Sequence, residues 1–71
     1  MQYSVILTPE PEGGFTITMP AFPEYVGFAD TEEEALALVR EGIAFEIERL
    51  RDQGQSPPTE PGPPKVVLVA A

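Results

Sequence analysis

Apolar and polar residues alternate in two short runs near the start of the chain. In residues 2–8, Tyr3, Val5 and Leu7 fall on one face of an extended backbone and Ser4, Ile6 and Thr8 on the other, which predicts a strand. Residues 15–19 set Phe15, Ile17 and Met19 against Thr16 and Thr18, the pattern of a half-buried antiparallel strand. Between the runs, Pro9 and Pro11 cannot donate to a ladder, and Gly13 and Gly14 permit positive φ. The two runs therefore predict a β-hairpin. Met19 and Phe22 each precede a proline and are pushed toward extended geometry, so residues 20–24 read as a loop. A short third strand over 25–29 follows, with Val26 and Phe28 sharing a face.

The period then changes to that of a helix. Thr31 followed three residues later by Glu34 is a capping box, and Glu32, Glu33 and Glu34 put negative charge at the positive end of the helix dipole. Arg49 and Arg51 suit the other end, and Gly54 is the natural residue just beyond it. A helix over 32–52 would be about 31 Å long. Residues 55–64 are a stiff, proline-rich connector. Residues 65–70 (KVVLVA) are apolar without alternation after the lysine, which predicts a closing strand covered on both faces or on one face plus a partner. The expected architecture is α+β, in the order β-β-β-α-β. It is a curled, antiparallel-rich sheet with one long helix packed on it, all within a single domain over 1–71.

At 100° per residue, Leu36, Val39, Ile43, Ile47 and Leu50 make a core-facing stripe. Leu38 and Phe45 point roughly the opposite way, one heptad apart, and Glu34, Glu41 and Glu48 run beside them. Two readings fit this second face. Either the 57–64 connector folds back over Leu38 and Phe45, leaving the glutamates as a solvated face, or the five residues form a protein-binding surface. An apolar anchor pair inside a polar rim is the usual anatomy of an interface.

Composition narrows the chemistry. The chain has 71 residues, with 4 Lys+Arg against 12 Asp+Glu, for a formal charge of −8. So few cations cannot track a phosphate backbone, which argues against direct nucleic-acid binding and for a basic partner. No Cys and no His are present, removing disulfides, thiolate sites, the commonest zinc ligand and the usual general base. Consecutive glutamates at 32–34 fan around a helix, and Glu34, Glu41 and Glu48 are spaced by about 10.5 Å, too far apart for one metal. No apolar run is long enough to span a bilayer and no signal peptide is evident, so a cytoplasmic protein without catalytic residues, cofactor or metal is expected. A core this small, with a bare sheet edge, further favours a homodimer.

Several features taken together resemble the HicB-like antitoxins. They are Tyr3 in the opening strand, acidic residues and Gly13-Gly14-Phe15 in the hairpin, Met19-Pro20 and Phe22-Pro23, and Asp30-Thr31-Glu32-Glu33-Glu34-Ala35 opening one helix. Gly54, Pro57-Pro58 and a valine-rich end complete the series. The resemblance implies a truncated ribonuclease-H-like domain lacking the nuclease's catalytic acids. It also implies binding and neutralisation of a small, basic, mRNA-cleaving HicA-like toxin. Two departures stand out. Phe22-Pro23-Glu24-Tyr25 replaces the usual Leu-Pro-Gly-Cys, and no DNA-binding module follows the last predicted strand, so autorepression by this chain is not expected. The alternative is a stand-alone homodimeric scaffold in which Leu38, Phe45 and residues 66–69 are consumed by self-association.

Overall fold

The hairpin forms where the alternation places it. The computed structural model describes residues 2–71, and in it β1 (Ile6–Pro9) pairs antiparallel with β2 (Phe15–Thr18), Leu7 opposite Ile17 and Thr8 opposite Thr16. Gly14 closes the turn at φ 76°, and its carbonyl accepts from the Glu10 amide at 3.1 Å. A side chain would not fit there, because a Cβ on Gly14 would lie 2.8 Å from the Ala29 carbonyl oxygen. The Glu10 carboxylate accepts from the Thr16 hydroxyl across the same hairpin. The third strand, β3 (Val26–Ala29), pairs antiparallel with β2, giving the sheet order β1-β2-β3.

β1 starts four residues later than the alternation predicts. Tyr3 and Val5 still pack against the core, but the Ser4 amide bonds to a side chain, the Glu60 carboxylate, instead of entering a ladder. Register places Ile6, Thr8, Thr16, Thr18, Val26 and Phe28 on one face of the sheet. Ile17, on the other face, is fully buried.

The helix α1 (Glu32–Asp52) covers that inner face and has the predicted limits. The Thr31 hydroxyl accepts from the Glu34 amide at 3.1 Å, as a capping box requires. The reciprocal bond is displaced by one residue, since the Glu34 carboxylate accepts from the Asp30 amide at 3.4 Å. At the far end, Gln55 N–H reaches the Leu50 carbonyl at 2.8 Å and Gly54 N–H reaches that of Arg51 at 3.0 Å, with Gly54 at φ 72°. This double closure satisfies carbonyls that would otherwise be orphaned.

Core packing differs from the expected stripe in detail. Val39 is buried and Ile43 and Leu50 pack beside it, but Ala35 is the helix residue with no exposed surface, while Leu36 and Ile47 are only half-buried at the margins. Small residues explain the rotation. Ala35 lets the helix approach Ile17, Met19 and Phe22, and Gly42 leaves a slot for the Tyr25 ring.

The closing strand does not form. Among the described residues no strand follows α1, so the sheet has three strands and not four, and residues 65–71 are exposed. The connector is held elsewhere. Tyr3 donates its hydroxyl to the Pro58 carbonyl at 2.8 Å, and Ser4 donates its amide to Glu60 at 3.0 Å and its hydroxyl to the same carboxylate. Tyr3 also meets Phe22 edge-to-face, with ring centroids 5.1 Å apart. Beyond this anchor, Pro61, Pro63 and Pro64 stiffen the chain and cannot donate to a ladder, and the apolar tail that follows them joins no sheet edge among the described residues.

Candidate partner-binding surface

The connector leaves the outward face of α1 uncovered. Leu38 is 42% exposed and Phe45 is 65% exposed. Two helical turns separate them, about 10.5 Å along the axis. Glu34, Glu41 and Glu48 are all exposed beside them. The five residues named from the sequence therefore lie along one rod held rigid at both ends by its caps. Glu46 is partly neutralised by Arg49, whose guanidinium bonds it at 2.7 Å, which leaves the outer glutamates as the unbalanced charge on this side.

A second apolar area lies on the outer face of the sheet. Val26 is 58% exposed and Phe28 70%, although both are the large residues of their strand. The alternation shows that they share a face but not that this face is the one turned from the helix. The inner positions of β3 are Gly27 and Ala29, so only small residues face inward there. Between β3 and α1 stands Tyr25. A Cβ on Gly27 would come 2.9 Å from its hydroxyl oxygen, and a Cβ on Gly42 would come 2.9 Å from its ring. A cleft of about 630 Å³ opens next to it, with Phe22, Leu50 and Pro58 in its walls and the Glu46–Arg49 pair at its edge.

No polar or charged side chain is buried among the described residues. Nor do any of them bring together three His, Cys, Asp or Glu side chains able to hold a metal ion. Among the described residues no helix is long and apolar enough to cross a membrane.

Comparison with known proteins gives this surface a family context. No family model matches the chain, and no solved structure does. The chain is 35% identical over 63 residues to antitoxin HicB 1 of Photorhabdus laumondii, covering 89% of this chain. It is 32% identical over 60 residues to a UPF0150 protein of Thermoplasma acidophilum, covering 84% of this chain and 87% of that relative. The chain belongs to the HicB-like family. It spans 40% of the length of the Photorhabdus antitoxin. Alignments of 63 and 60 residues on a 71-residue chain must include the whole of α1, so the HicB-like relationship takes in the candidate surface.

Proposed function

We propose that this HicB-like chain is a non-catalytic antitoxin, acting in the cytoplasm as a single domain over residues 1–71. Its target is a small, basic, HicA-like toxin that cleaves mRNA, and it neutralises that toxin by covering it. The observation that supports this reading most directly is the outward face of α1. Leu38 and Phe45 are exposed apolar anchors edged by Glu34, Glu41 and Glu48 on a chain of net charge −8. A basic nuclease must present cations to RNA, and an acidic rod competes for those cations while its apolar pair supplies short-range contact. The relationship to a protein named as an antitoxin points the same way.

Co-expression with the toxin encoded beside it tests the proposal. Growth is rescued by the native chain, the two proteins co-purify at low salt, and the complex weakens as salt rises because its charges are exposed. Phe45→Ala loses about tenfold or more in affinity, as expected of a central aromatic anchor. Failure of the pair to co-purify at low salt overturns the reading.

A second reading, a homodimeric interaction protein, is favoured by a different observation. Val26, Phe28 and residues 66–69 are all exposed and apolar, and a single small domain gains stability by covering such surface with a second copy.

A further inference from the structure

Each chain carries a strand without a sheet and a sheet edge without a strand. Residues 66–69 are β-branched or leucine and stand 83%, 64%, 96% and 86% exposed. The outer edge of β3 has no partner among the described residues, and Val26 and Phe28 on it are 58% and 70% exposed. At the other edge of the sheet, Pro9 in β1 has no N–H to offer a further strand. Among the described residues the chain's own tail pairs with neither edge.

We propose that two copies exchange their tails, residues 66–69 of each adding an antiparallel fourth strand to β3 of the other. This rests on the homodimeric reading and deepens it by naming the contact. Charge sets the direction. Glu10, Glu12, Asp30 and Glu34 line one hollow beside Phe28 at the end of β3, and Lys65, the sole lysine, immediately precedes the tail. Antiparallel pairing with Lys65 opposite Asp30 brings that lysine to the hollow, whereas parallel pairing carries it to the other end of β3. In this register Val66 lies opposite Ala29, Val67 opposite Phe28, Leu68 opposite Gly27 and Val69 opposite Val26. Val67 and Val69 then cover the two exposed side chains of β3 on the outer face. Leu68 falls on the inner face beside Gly27, where the strand itself offers no bulk and the Tyr25 ring provides a wall. The tail matches β3 in length, four residues against four.

Analytical ultracentrifugation of the purified full chain, with no other protein present, tests this. The native chain sediments as a dimer. Val67→Pro/Leu68→Pro, which removes donors on both sides of the tail strand, sediments as a monomer with unchanged helix content, because neither residue is packed in the monomer. Since the chain has no cysteine, Val67→Cys and Phe28→Cys chains can be mixed under oxidation, and they give a covalent pair. A Thr8→Cys chain on β1 does not give that pair with Val67→Cys. A monomeric native chain overturns both the homodimer and the exchange. A dimer that survives the double proline, or that cross-links through Thr8→Cys and not Phe28→Cys, overturns the exchange alone.

Discussion

Tyr25 stands against Gly42, in a slot that exists only because the helix residue has no side chain. A Cβ on Gly42 would approach the ring to 2.9 Å, and a Cβ on Gly27, on the opposite side, would approach the Tyr25 hydroxyl oxygen to 2.9 Å. The two glycines thus bound the ring on two sides, and a methyl group at Gly42 would force it to shift. Gly42 sits in the middle of a 21-residue helix, where its intrinsic preference is unfavourable, so a packing role accounts for its presence.

Gly42→Ala consequently changes sign with its neighbour. In the native chain it lowers stability by about 1–2 kcal/mol, because overpacking outweighs the ~1 kcal/mol gained in helix preference. In a Tyr25→Ala background the clash is absent, and the same substitution stabilises by up to ~1 kcal/mol. Urea unfolding of the four proteins in this cycle measures both values.

The two turn glycines respond unequally. A Cβ added at Gly13 would meet nothing within 4 Å, so Gly13→Ala encounters only the positive-φ penalty at φ 101°, about 1–2 kcal/mol. Gly14→Ala meets the same penalty plus a backbone oxygen of β3 at 2.8 Å that cannot rotate aside. Its loss exceeds that of Gly13→Ala by ~1 kcal/mol or more, read as a lower midpoint in thermal unfolding.

Glu60 ties the connector to the start of the chain through the amide and hydroxyl of Ser4. Glu60→Ala leaves that amide without its partner and costs about 1–2 kcal/mol. Hydrogen exchange provides the local readout. The Ser4 amide loses protection in the variant, while amides in the middle of α1 shift only by the change in global stability.

Exposure separates surface from core on the helix. Phe45→Ala alters stability by less than about 0.5 kcal/mol, since the ring is 65% exposed. Val39→Ala, six residues earlier and 3% exposed, costs about 2 kcal/mol. Denaturant melts of the two variants show the ordering directly, and the reverse order would mean that Phe45 is covered.

Much of this architecture is legible in the residue order because its signals are local. Thr31, the glutamates behind it and Gly54 mark the helix ends by chemistry acting within one turn. Gly13 and Gly14 mark the hairpin in the same way. Features that depend on distant partners are not marked so. Residues 65–70 have strand composition, but composition does not supply an edge, and among the described residues they join none. Ala35 and Gly42 matter because they are small, which a search for large apolar residues at helical spacing passes over. Leu38 and Phe45 are visible from their spacing as a second face. Whether the connector covers them turns on the bonds of Tyr3 and Ser4 to Pro58 and Glu60, which lie 55 and 56 residues further along the chain.

Pro9 guards the β1 margin of the sheet. It occupies a position where a further strand would look for an N–H, so a fibril growing from that side would carry one missing bond at every copy.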